Sequence, residues 1–132
     1  MLQRRNSKQR NVLREYLQGR TDHPTAETLY KEIQVQYPRM SLGTVYRNLM
    51  LLSDSGEIQA LDVGDGKTHF DPNPEPHAHF YCTKCKQVSD IFFDEYCDII
   101  DIIKKNTKGS VTSCSISVEG ICPICKNKEN ES

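Results

Sequence analysis

HAHFYCTKC, residues 77–85, sets two histidines two positions apart directly before a Cys-x-x-Cys pair. A second pair lies further on, Cys122/Cys125 in CPIC, matching Cys82/Cys85 in CTKC. A CxxC turn aims two thiolates at one point, and two such turns supply the four sulfurs of a tetrahedral Zn²⁺ site. Four thiolates close the ion off, so a structural zinc on Cys82, Cys85, Cys122 and Cys125 is expected, with no catalysis at that metal. A redox dithiol would need only one pair. His77 and His79 share a face if residues 77–81 form a strand, because strand side chains alternate with period two. With one aspartate, from Asp71 or Asp90, they are candidates for a second, exchangeable metal, and His23 and His69 are weaker candidates on spacing. Mixed imidazole and carboxylate donors suit Fe²⁺ or Mn²⁺.

Just upstream, Pro72-Asn73-Pro74-Glu75-Pro76 reads as an extended, semi-rigid hinge over 72–76. It separates two regions of different character. Every arginine lies before Val63; the chain carries 9 Lys+Arg against 7 Asp+Glu up to that point and 8 against 11 from it onward. Residues 1–20 hold Arg4, Arg5, Lys8, Arg10, Arg14 and Arg20 against Glu15 alone. Arginine forks suit phosphate and guanine, so the first half points at nucleic acid even though the whole chain has a net charge of −1.

The apolar spacing of that first half predicts three helices. Ser7 caps the first, which runs to about residue 18 with Val12, Leu13, Tyr16 and Leu17 on one face. Pro24-Thr25 opens the second, where Ala26, Leu29, Ile33 and Tyr37 repeat until Pro38 ends it. Ser41 caps the third over about 42–54, with Val45, Leu49 and Leu52 inward. Strand-like residues flanking Gly64-Asp65-Gly66 then predict a β-hairpin. Three helices and a hairpin give a winged helix-turn-helix domain over 1–71, whose third helix enters the major groove. Arg10 and, on that third helix, Thr44, Tyr46, Arg47 and Asn48 are the candidate DNA contacts.

Beyond the hinge, strands at 77–81 and 87–92, a helix over 94–105 and a strand over 110–119 make a small α/β domain, residues 77–132, and an α+β protein overall. A core of that size is marginal alone, and structural zinc sites contribute about 10–16 kcal/mol. The N-terminus has no apolar stretch of a secretory signal and no run approaches a membrane span, so a cytoplasmic protein without a membrane partner is expected. There cysteines are metal ligands or free thiols, and Cys97 and Cys114 are expected to be buried small residues. At 132 residues the chain has little room for a deep cleft. The zinc deaminase pattern also needs a glutamate two residues after a ligating histidine, where His77 is followed by Ala78 and His79. An enzyme is not expected.

The stretches HPTAETLYKEI (23–33), SLGTVYRNL (41–49), THFD (68–71), HAHFYCTKC (77–85) and GICPIC (120–125) together resemble the ferric uptake regulator family, in order along nearly the whole chain. The resemblance implies a homodimeric bacterial repressor of operator DNA: a winged-helix domain, a hinge and a zinc-stabilised dimerisation domain. It implies a regulatory Fe²⁺ or Mn²⁺ between the domains on His23, Asp71, His77, His79 and Asp90. Aspartate at both Asp71 and Asp90 is similar to the peroxide-sensing branch, in which bound Fe²⁺ leads to oxidation of histidines, here His23 and His77. The alternative is an iron- or zinc-responsive uptake repressor, whose branch Arg47 more resembles. The family's extra leading helix is missing or a stub, and its third metal site is not expected, because Pro76, Ala78 and Cys114 interrupt the donors.

Overall fold

A computed structural model describes the backbone from Leu2 to Asn130 and the side chains from Ser7 to Glu129. Arg4 and Arg5 of the basic stretch therefore lie outside the described side chains. The fold is α+β, with five helices and two small sheets among the described residues. The chain divides into two compact units between Pro74 and Glu75.

The first unit opens with α1 (Leu2–Leu17), which starts before the expected cap. Residues 2–6 contain no Gly or Pro to break a helix, so Ser7 lies inside it. Leu13 and Leu17 are fully buried, and Gly19 at φ 74° ends the helix. The second helix, α2 (Ala26–Gln34), has Thr25 as N-cap, its hydroxyl accepting from the Thr28 N–H at 3.2 Å. It stops short of the expected end. Pro38 disfavours helical geometry at Tyr37, whose N–H still reaches the Ile33 carbonyl at 2.8 Å while its side chain turns out, 40% exposed. The third helix, α3 (Leu42–Asp54), begins at the expected cap, Ser41 accepting from the Thr44 N–H at 3.1 Å, and buries Val45, Leu49 and Leu52.

After α3, β1 (Gln59–Asp62) pairs antiparallel with β2 (Thr68–Asp71), Leu61 opposite His69. The connecting turn takes positive φ at Gly64 and Gly66, which glycine adopts without strain. Asp62 and Asp65 brace it, accepting from the backbone N–H groups of Gly64 and Lys67. Phe70 enters the core shared by Leu13, Leu29, Ile33, Val45 and Leu49, tying the hairpin to all three helices. The Phe70 N–H also donates to the Pro24 carbonyl at 2.9 Å, so the segment before α2 lies along β2.

In the second unit, β3 (Ala78–Cys82) is the central strand, antiparallel to β4 (Val88–Ile91) and parallel to β5 (Ser117–Gly120). The long connection from β4 to β5 carries α4 (Tyr96–Lys105). β5 is shorter than the expected 110–119, and residues 107–116 form no strand. Gly120 ends it where a Cβ would sit 3.2 Å from the Phe80 ring. The last described element is α5 (Pro123–Asn130), which the sequence reading missed because its residues have little apolar periodicity. Pro123 at its first position is a regular helix opener. Cys97 is exposed and Cys114 half-buried, contrary to the expectation of two buried thiols. Cys97 lies in the first turn of α4, exposed to solvent.

Candidate metal centres and DNA-facing residues

The β3–β4 turn delivers Cys82 and Cys85, and the passage from β5 into α5 delivers Cys122 and Cys125. Parallel pairing of β3 with β5, ending at Cys82 opposite Gly120, brings the two passages side by side. The four sulfurs lie within 4.8 Å of one another. Backbone N–H groups point at them: those of Cys85 and Cys122 donate to Cys82 Sγ, each at 3.4 Å, and that of Cys125 to Cys122 Sγ at 3.5 Å. The Cys122 N–H, and next that of Cys85, lower the Cys82 thiol to about 6. The neighbouring Cys122 side chain, then burial, pushes Cys125 up to about 12. The two shifts have opposite directions because backbone N–H groups favour the thiolate at Cys82 while a neighbouring sulfur and burial disfavour it at Cys125. The donor set fits a thiolate-preferring divalent ion.

The imidazole and carboxylate candidates sit in both units. In the first, His23 and Asp71 are buried, with His23 Nε2 3.2 Å from Asp71 Oδ2. Asp71 Oδ1 accepts from the Asn73 N–H at 2.9 Å, which orients the carboxylate. His23 holds φ 51°, a left-handed conformation uncommon outside glycine. In the second unit, His77 Nε2 lies 2.8 Å and His79 Nε2 3.4 Å from the same oxygen, Asp90 Oδ1. Strand alternation puts both histidines on one face of β3, and antiparallel register sets His79 opposite Asp90. His77 Nδ1 donates to the Glu75 carbonyl at 2.6 Å, which fixes the tautomer and leaves Nε2 as the ligating atom. Phe92 stacks on the His77 ring with centroids 4.8 Å apart. Glu75 and Phe92 were not singled out from sequence. A backbone carbonyl carries no residue signature, and Phe92 reads as one more strand residue.

His69 lies apart from these donors. Its Nδ1 is 2.9 Å from the His23 carbonyl oxygen and its Nε2 is 2.6 Å from Asp65 Oδ2.

Of the candidate DNA contacts, Tyr46 and Arg47 are exposed on α3, Thr44 is half-buried there, and Arg10 is half-buried on α1. Arg47 Nη2 is 3.4 Å from Thr44 Oγ1. Asn48 differs from the expectation of a wet face: it is buried, and its amide donates to the Thr44 carbonyl at 2.8 Å. Three positions past Val45, it falls on the core side of the helix. An open groove beside Tyr46 is lined by Thr25, Leu42, Gly43, Gly66 and Lys67, joining the first turns of α2 and α3 to the hairpin turn.

Three helices with a hairpin, joined to a unit holding a four-cysteine cluster, define a two-unit metal-binding protein. The ferric uptake regulator family matches it over residues 2–119. The chain belongs to the ferric uptake regulator family. It is 32% identical over 122 residues to the peroxide operon regulator of Bacillus subtilis, covering 92% of this chain and 84% of that one. It is 30% identical over 122 residues to the peroxide-responsive repressor PerR of Staphylococcus epidermidis, covering 92% and 81%. Among solved structures, the Campylobacter jejuni peroxide stress regulator superposes with a TM-score of 0.72 at 30% identity, covering 92% of this chain and 91% of that one.

Proposed function

We propose that this chain is a homodimeric, metal-dependent repressor that binds double-stranded operator DNA and releases it on exposure to peroxide. The observation that carries the reading is the pair of imidazole–carboxylate groups with buried histidines, one in each unit and both using aspartate, in a chain similar to peroxide-responsive repressors. In this reading His23 and Asp71 from the first unit and His77, His79 and Asp90 from the second hold one regulatory Fe²⁺ or Mn²⁺. Cys82, Cys85, Cys122 and Cys125 hold a structural Zn²⁺. Residues 1–71 act as a winged helix, 72–76 as the hinge and 77–132 as the dimerisation domain of a cytoplasmic protein.

Each part has its own physical support. The exposed Tyr46 and Arg47, with Arg10 and Thr44, offer stacking, guanidinium and hydroxyl groups to bases and phosphates. For the dimer, α4 exposes Ile99, Ile102 and Ile103, and Val118 and Ile121 are also exposed in the same unit. That much uncovered aliphatic surface on a small unit suits a second copy. Donors drawn from both sides of the hinge tie the two units together when they share an ion, setting the spacing of two recognition helices in the dimer. A coupling of about 1–3 kcal/mol, typical of allostery, changes operator affinity roughly 5–150-fold.

Bound Fe²⁺ supplies the chemistry by which peroxide adds one oxygen atom to a ligating ring and leaves as water. The ring that gains oxygen, His23 or His77, loses its place as a donor, and the tie across the hinge is released. A gel-shift series with operator fragments, Mn²⁺ or Fe²⁺, with and without peroxide, tests this. DNA should be retained with either metal, and peroxide should release the Fe²⁺ form alone, with one oxygen added to the peptide holding His23 or His77. Unmodified histidines with DNA still bound would leave the uptake-repressor reading in place.

A further inference from the structure

His69 is a buried histidine left over from the metal ligands. Its Nδ1 lies 2.9 Å from His23 O and its Nε2 2.6 Å from Asp65 Oδ2, so one ring spans a backbone carbonyl and a turn carboxylate. Burial pushes the Asp65 carboxyl up, but the His69 hydrogen bond and then the Lys67 N–H outweigh it, holding that carboxyl below its ordinary value. Two further ties join the same strands: the Phe70 N–H to the Pro24 carbonyl, and a bridge between Thr25 and His69.

These bonds converge beside a residue that needs holding. A left-handed backbone is strained for a non-glycine residue, and such strain persists where the surroundings over-determine it. At His23 this conformation turns the carbonyl toward His69 while the ring meets Asp71 at 3.2 Å. At the other end, Asp65 is the middle residue of the hairpin turn. Its Oδ2 holds the His69 ring and its Oδ1 accepts from the Lys67 N–H at 3.1 Å, so one carboxylate grips ring and turn together.

We propose that His69 and Asp65 form a latch that positions the metal ligand His23 and joins it to the tip of the β1–β2 hairpin, so that metal binding orders the DNA-facing turn. The latch rests on His23 being a ligand of the regulatory metal. Linkage makes the effect reciprocal: if the latch favours metal at His23, metal at His23 favours the latched turn. Groups that orient a ligating histidine typically change metal affinity 10–100-fold. His69 acts through His23 and is a positioning residue.

The test uses the zinc-loaded full chain and Mn²⁺ as the probe. Mn²⁺ affinity is measured for the unaltered protein and for His23→Ala, His69→Phe, His69→Gln and Asp65→Ala. Amide exchange of the turn residues Gly64 to Lys67 is followed with and without Mn²⁺. His69→Phe should weaken Mn²⁺ binding about tenfold or more, and His69→Gln, which keeps one N–H donor, should recover part of the loss. In Asp65→Ala the slowing of turn exchange by Mn²⁺ should disappear. Folded His69→Phe and Asp65→Ala proteins that bind Mn²⁺ normally and keep that slowing overturn the latch. If His69→Phe does not fold, the exchange response of Asp65→Ala decides alone. An unchanged affinity in His23→Ala overturns the metal-site reading and the latch with it. Loss of binding in His23→Ala with unaltered His69 and Asp65 variants overturns the latch only.

Discussion

Asp22 sits in a surface ion pair with Arg20 at 2.8 Å. Its carboxyl is held below the ordinary range first by the hydrogen bond from Arg20, whose guanidinium also meets Glu32 at 2.6 Å. A carboxylate whose folded value is depressed stabilises the fold above its unfolded value, near pH 4, and that contribution is lost as pH falls through the folded value. Asp22 is more than half exposed, so solvent screens most of the effect. Asp22→Asn should therefore lower the thermal midpoint slightly at pH 7, and the difference from the unaltered protein should narrow as pH falls below about 4, by calorimetry across that range. Leu29, fully buried, is another matter: Leu29→Ala should cost about 2–5 kcal/mol by denaturant titration. At this scale the chain is unevenly legible. The four cysteines announce themselves because a CxxC turn sets its own geometry. Asn48 was misjudged because polarity stood in for exposure, and only the phase of α3 around its core settles which way a residue points. Spacing made His69 a weak metal candidate and could not reveal its partners, a backbone carbonyl 46 positions away and a turn carboxylate.

Among the elements, α3 carries the most testable claim. Its cap and core face arise from SLGTVYRNL alone, and the same pattern leaves Tyr46 and Arg47 outward. Tyr46→Ala combined with Arg47→Ala should abolish operator binding by gel shift while zinc content and dimer mass stay unchanged; binding at the original affinity would move the recognition surface elsewhere. Ser41→Ala should cost about 1 kcal/mol through loss of the cap. The ends of α1, α2 and β5 were less legible than their centres. Start and stop signals compete with the residues on either side of them: Ser7 resembles a cap but has no helix breaker before it, and Tyr37 fits the apolar repeat but precedes a proline. The alternation around residues 110–119 becomes strand only at 117–120, where β3 offers an edge to pair with.

At the scale of the molecule, the two units hold themselves together differently. The first has a contiguous aliphatic and aromatic core, whereas the second buries few large apolar side chains and exposes Ile102, Phe92 and Ile124. If the proposed zinc holds the second unit, chelation should unfold that unit and leave most α1–α3 helicity, by circular dichroism with proteolysis, and Ile102→Glu with Ile103→Glu should convert the proposed dimer to monomers in sedimentation. The parallel pairing of β3 with β5 has a consequence in time. Parallel neighbours cannot be joined by a tight turn, so Cys85 and Cys122 meet only when a loop of 37 positions closes. Long-range closure is slow compared with local turn formation. If these four cysteines hold the proposed zinc, Cys82 and Cys85 capture it first and Cys122 and Cys125 complete the cage afterwards. Stopped-flow refolding with zinc should resolve two phases, and Gly120→Ala, which crowds Phe80, should slow only the second.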